Sequence, residues 1–269
     1  MGVEFLILTV YFICVVYVLY QMALSVEAQL EDQLDIKLQS EALQDSVNAQ
    51  LKQQTLYQAE AETQMVAGKS LLKLTFFEFD EAAEAATAIG TVAFQIAPQG
   101  KLPLQPPLKA LSVSVVNTLP NQQVFLQWDR SAISVHGGFA QRVIRQVPGN
   151  ATDLLPFQAP TVVNPNLQTN VKVTAESLLS RPDNQVSLEV GPPLIELSQV
   201  PTMKPGMRQY TLQIVMWVRS LMYPNDPALQ LILPFTFHIE VLPDHVALPV
   251  LGWLLNFNPF APRASQKPR

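Results

Sequence analysis

The sequence predicts a mainly β protein, an antiparallel β-sandwich preceded by an N-terminal transmembrane helix and a long amphipathic α-helix. Three observations predict it. An apolar run opens the chain, a segment free of Gly and Pro follows, and beyond Gly68 short apolar stretches alternate with Pro, Gly and Asn clusters. The expected division is 1–24 for the membrane helix, 25–67 for the amphipathic arm, 68–245 for the β domain and 246–269 for an apolar, aromatic segment ending in a basic tail.

Between Phe5 and Tyr20 the polar interruption is Thr9, and Met22 to Leu24 prolong the run past Gln21. A helix of roughly 20 apolar residues crosses the ~30 Å of bilayer hydrocarbon. Tyr20 falls where an interfacial aromatic belt is expected. A secretory signal would carry a basic n-region, whereas Glu4 is the charge that precedes this run, and Ala23-Leu24-Ser25 is a poor cleavage site. Cys14, the sole cysteine, lies inside the run without a lipobox-like pattern, so a retained single-pass anchor is expected. The first basic residue is Lys37, which leaves the positive-inside rule silent on orientation.

Residues Ser25 to Gln64 are rich in Gln, Glu, Ala and Leu, all good helix formers. Apolar residues recur at Val26, Leu30, Leu34 and Leu38, then Leu43, Val47 and Leu51, a helical but drifting period. One helix is expected, stopped at Gly68. About 40 residues at 1.5 Å each would reach roughly 60 Å beyond the membrane. Its apolar stripe, with Leu30, Leu34 and Leu38 as candidate contacts, wants cover from its own β domain, from a coiled-coil copy in a homo-oligomer, or from a membrane complex.

In the β domain, strands are expected near Leu71 to Phe79, Val92 to Ile96, Ala110 to Asn117, Val124 to Trp128, Phe139 to Val147, Asn170 to Thr174, Val186 to Val190, Gln209 to Ser220 and Gln230 to Val241. Two packed sheets would accommodate them. Asp80 to Ala88 reads instead as one or two helical turns with a solvated acidic face. Leu212, Ile214, Met216 and Val218 alternate with Gln213, Val215, Trp217 and Arg219, so the first set belongs to a core and the second to a mixed face. On that face Trp217 is either a core anchor or a partner contact.

Asn117-Thr118, Phe125-Leu126-Gln127-Trp128-Asp129-Arg130-Ser131, Gly138 and Arg142-Val143-Ile144 together resemble small immunoglobulin-like domains of bacterial envelope proteins, over about residues 110–175. The resemblance implies an extracytoplasmic β-sandwich with a binding or structural role and no catalytic residues. Read physically, Trp128 closes a strand, Asp129 and Ser131 cap the turn beyond it, and Gly137-Gly138 permit a tight reversal.

Chemistry-bearing patterns are sparse. A net charge of −5 with no basic tract outside the C-terminal tail excludes nucleic acid as an expected partner. Of the 3 histidines, His238 shares a strand face with Glu240 and is followed by Asp244 and His245, a weak metal-ligand pattern beside the plainer reading of a polar strand end. Asn150-Ala151-Thr152 matches a glycosylation sequon and reads as loop. No phosphate loop, nucleophile elbow or zinc motif is present, so no enzyme activity, cofactor or metal is expected. Val246 to Phe260 is too short to span a bilayer; it packs on its own domain, lies at the membrane interface, or docks on a protein, with Leu251, Trp253, Leu254, Phe257 and Phe260 as candidate contacts. The functional expectation is a membrane-anchored interaction protein, with an accessory subunit of a larger membrane complex, a thylakoid complex among others, as the alternative.

Overall fold

The computed structural model describes residues 2–30, 33–54, 57–80, 85–104, 107–146, 157–181 and 188–242. The chain divides into two units, one comprising 1–33 with 242–269 and the other Leu34–Val241.

The described part of the first unit is helix α1, Gly2–Leu30. Its segment Glu4–Met22 is 19 residues long with a mean hydropathy of 2.2, the length and composition of a membrane span or of a signal sequence. Phe5, Leu8, Tyr11, Phe12 and Val18 are all exposed. The Thr9 hydroxyl donates to the Phe5 carbonyl at 2.8 Å, so the helix satisfies this polar group internally.

The second unit is mainly β. Its strands are β1 (Gln33–Leu38), β2 (Gln58–Val66), β3 (Lys69–Asp80), β4 (Ala85–Ala97), β5 (Gly100–Pro103), β6 (Leu111–Asn117), β7 (Gln122–Val135), β8 (Gln141–Gln146), β9 (Thr161–Val163), β10 (Leu167–Ala175), β11 (Leu179–Ser180), β12 (Glu189–Val190), β13 (Gln209–Ser220) and β14 (Leu229–Val241). Helix α2, Ser40–Lys52, lies between β1 and β2. Among the described residues one 12-stranded sheet runs in the order β2-β3-β4-β6-β10-β8-β7-β13-β14-β1-β5, with β9 attached to β7; β11 and β12 form a separate pair. Neighbours with defined register, such as β13 with β14 and β3 with β4, are antiparallel. The sheet is continuous through β8, which pairs β10 on one side and β7 on the other. It curls, so that Phe94 of β4 meets Phe235 of β14 with ring centroids 6.2 Å apart. A single curled sheet thus stands where two separate packed sheets were expected.

Alternation decides what fills the curl. Leu212, Ile214, Met216 and Val218 of β13 and Leu229, Leu231, Leu233, Phe235 and Phe237 of β14 are buried, as are Trp128, Phe76 and Phe94. Tyr210 stacks on Phe237 with centroids 4.8 Å apart.

The long amphipathic helix expected over 25–67 is not formed. The segment holds the end of α1, then β1, α2 and β2, and the folded β unit begins at Leu34 rather than Gly68. The physical reason is that Leu34 and Leu38 also flank Ile36 in an alternating pattern, and the partner edge of β14 is available: Leu34 to Leu38 pair Val241 to Phe237. Gly68 is no helix stop; Ala67 and Gly68, with φ of 49° and 75°, form the two-residue turn of the β2–β3 hairpin. The helical turns expected over Asp80 to Ala88 are likewise replaced, because Asp80 and Ala85 pair across β3 and β4; residues 81–84 lie outside the described residues.

Helix α2 closes the curl. Leu43, Val47 and Leu51 recur at i, i+4 and i+8 and are buried in the core. On its flanks, side-chain amides replace missing strands. The Asn48 carbonyl oxygen accepts from Ala61 N at 2.8 Å and its amide donates to Ala61 O at 3.0 Å, on the open side of β2. Gln50 does the same for Ile232 of β14, with distances of 2.8 Å and 2.7 Å. An edge strand exposes unpaired N–H and C=O groups, and a primary amide offers one donor side and one acceptor side to pair them.

Candidate functional site on the outward face of the sheet

The sequence places its candidate contacts unevenly. Leu34 and Leu38 are buried in β1, and so they are core residues, not contacts for a partner; with Ile36 they form the inward face of a strand rather than a helical stripe. Leu30 is the last residue of α1, and its side chain lies outside the described residues, as do Leu251, Trp253, Leu254, Phe257 and Phe260. Trp217 remains, on the outward face of β13.

That face owes its shape to an irregularity in β7. Gln127 pairs Val215 and Ala132 pairs Gln213, so residues 128–131 bulge from the ladder. Ser131 holds the bulge together: its hydroxyl donates to Gln127 O at 2.7 Å and accepts from Val215 N at 3.1 Å. Trp128, expected to close the strand, is buried within it and donates from Nε1 to Thr161 Oγ1 at 2.8 Å. Asp129 caps no turn either. Its carboxylate accepts from Arg142 Nε at 3.1 Å, from Gln158 N at 2.9 Å and from Gln158 Nε2 at 3.3 Å. Partial burial pushes its pKa up, but the Arg142 and Gln158 hydrogen bonds outweigh this and hold it below the ordinary carboxylate value. The reversal near Gly137-Gly138 forms as a β-turn centred on His136 and Gly137, with φ of 54° and 69° and Gly138 N–H donating to Val135 O at 2.9 Å, inside the connection between Ile133 and Gln141.

With Asp129 engaged, Arg130 leans over the Trp217 ring, its guanidinium carbon 5.1 Å from the centroid; Arg219 lies 5.8 Å from the same centroid. Two cations thus share one indole. Among the described residues neither arginine has an ion pair or hydrogen bond, and the Trp217 Nε1–H is buried without an acceptor. The cross-strand row Val162, Phe125, Trp217 extends the apolar part of this face, with Val162 exposed at its end. Ile232, opposite Val215 in the neighbouring row, is exposed as well.

A second concavity lies at one end of the sheet. A cleft of about 320 Å³ is lined by Tyr57, Phe77, Glu78, Gln122, Tyr223 and Asp226 among others. Burial, with the Asp226 charge nearby, raises the Tyr57 pKa. These residues were missed because they come from strands and connections remote from one another in sequence, at 57–58, 76–78, 89, 120–122 and 220–227. A sequence signal exists only in retrospect, as tyrosines beside strand ends, Tyr57 before β2 and Tyr223 after β13.

The His238 pattern does not assemble a ligand set in the described residues. His238 bonds its ring nitrogen to the Gln39 side chain, and Glu240 pairs with Lys37, while Asp244 and His245 lie outside the described residues, as does Asn150. Among the described residues no group of His, Cys, Asp and Glu side chains is placed to hold a metal ion.

The chain matches no protein family, no curated protein and no solved structure.

Proposed function

We propose that the protein is a non-enzymatic, single-pass membrane protein whose β unit binds a protein partner through the outward Trp217 face. The observation that carries the reading is the exposure of apolar side chains around α1, Phe5, Leu6, Ile7 and Leu8 on successive positions among them, which leaves no face of that helix suited to water. Lipid or other membrane helices are the natural cover for such a surface. The second support is the outward row of half-buried Trp217 and Phe125 with exposed Val162, flanked by two exposed arginines, an arrangement of aromatic and arginine side chains of the kind enriched in protein interfaces. The immunoglobulin-like resemblance around Trp128 adds the expectation that the β unit is extracytoplasmic.

The test is fractionation with mass measurement of the N-terminus. An intact N-terminus resisting carbonate extraction from membranes supports the anchor, whereas a chain starting near Ser25 in the soluble fraction overturns it. Protease access in sealed vesicles reads the side. After mild detergent solubilisation, a stoichiometric partner chain lost in W217A supports the binding role; recovery as a lone monomer overturns it. Several different co-purifying chains would favour the accessory-subunit reading.

A further inference from the structure

The proposed binding face has a definite chemical bias. Arg130 and Arg219 are exposed, face one indole and have no carboxylate partner among the described residues. The carboxylate nearest in sequence, Asp129, is occupied by Arg142 and Gln158. The exposed part of the cluster therefore presents guanidinium donors and positive charge. This is unusual in a chain of net charge −5, where a stray cation has many acidic residues to choose from.

We infer that the outward face of β7 and β13 docks an extended acidic segment of a protein, with carboxylates at alternate positions taken by Arg130 and Arg219 and the methylene stems of those acidic side chains laid on Phe125 and Trp217. The inference rests on the protein-binding reading above and names the partner's chemistry. Guanidinium matches carboxylate geometry with two parallel hydrogen bonds, and stacking on the indole holds its plane in place for that contact. An extended segment with acidic residues at alternate positions presents their carboxylates on one face roughly 7 Å apart. That suits two arginines in contact with a single ring. The apolar row Val162, Phe125, Trp217 then covers the methylene stems of those acidic side chains. An anionic lipid surface offers the same charge, but the chain's overall negative charge opposes its approach to such a surface, and a two-arginine patch is small beside the clusters that hold proteins to acidic lipid.

The experiment uses the full chain in phosphatidylcholine nanodiscs, with a labelled short peptide of alternating Glu and Val read by fluorescence anisotropy. The expected result is saturable binding that weakens with added salt and falls about tenfold or more for R130Q/R219Q. A peptide with Gln for Glu weakens equally on the unaltered chain, which keeps the test valid should the double variant misfold. Equal binding of the Glu and Gln peptides, or equal binding by R130Q/R219Q, overturns the inference. So does arginine-dependent capture of phosphatidylserine-rich vesicles without peptide binding. A natural partner lost in W217A but fully retained by R130Q/R219Q overturns the acidic-segment inference while leaving the protein-binding reading intact.

Discussion

Helices α1 and α2 are near neighbours in sequence, separated by strand β1, yet they meet their surroundings in opposite ways. In α1 the apolar residues point in every direction and stay exposed. In α2 they form one stripe, Leu43, Val47 and Leu51, which is buried, while Asn48 and Gln50 bond sheet edges on either side. The difference teaches what each helix needs. A stripe is completed by a folded neighbour in water, whereas an all-round apolar surface is completed only by an apolar medium or by other helices.

The comparison breaks most sharply at the buried stripe. Leu43→Ala is expected to destabilise the β unit by about 2–5 kcal/mol, since it empties volume in a closed core. Leu8→Ala in α1 leaves the urea midpoint of the β unit unchanged. Denaturation of both variants in micelles, followed by near-ultraviolet dichroism, checks this, and equal losses would erase the distinction. The reverse substitution, Val10→Arg, is expected to disfavour insertion by about 2.5–3.5 kcal/mol, read as a shift from the carbonate-resistant to the extractable fraction with the β unit still folded.

A smaller effect is expected from Asn48→Ala. It strips Ala61 N–H and C=O of their partners and costs about 1–3 kcal/mol. Hydrogen exchange at Ala61 sharpens the point, because the amide should lose protection ahead of the β3 amides.

The pH dependence follows from Asp129. Its pKa is lowered in the folded state, so its contribution is complete above the unfolded carboxylate value near 3.9 and is lost as pH falls through the lower folded value. Asp129→Asn is expected to flatten this part of the stability curve below about pH 4, measured by urea midpoints across pH. Smallest is the exposed Lys37–Glu240 pair joining β1 to β14: Lys37→Met is expected to leave the midpoint where it was, although Lys37 has its pKa raised chiefly by the Glu240 hydrogen bond.

Much of the sheet was legible because its strands carry strict alternation. Gln209 to Ser220 and residues 229–241 show inward apolar and outward mixed residues that any reading by twos recovers. Strand β1 was misread for an instructive reason. Leu30, Leu34 and Leu38 satisfy a spacing of four, which is a multiple of two as well as one helical turn, and Ile36 is the residue that separates the readings. Strand β2 carries Gln, Glu and Ala, which favour helix; of its apolar residues Ala61 alone is fully buried, so its strand state comes from pairing with β3 rather than from its own composition. At the site, Trp217 was legible as a residue on a mixed face. The two arginines over it were not, because Arg130 reaches the ring through a bulge that depends on the Ser131 hydrogen bonds to two strands.

By itself the sequence determined the apolar run of α1, the period-two strands and the sparse charge, because each is a property of consecutive residues and the solvent they prefer. Tertiary structure decided the breaking of the arm into β1, α2 and β2, the closure of the curl by amides of α2, and the stacking of two arginines on Trp217. Each of these joins groups far apart in the chain. The free energy of such a contact exists only once an edge, a core or a ring has been brought into place by the rest of the fold.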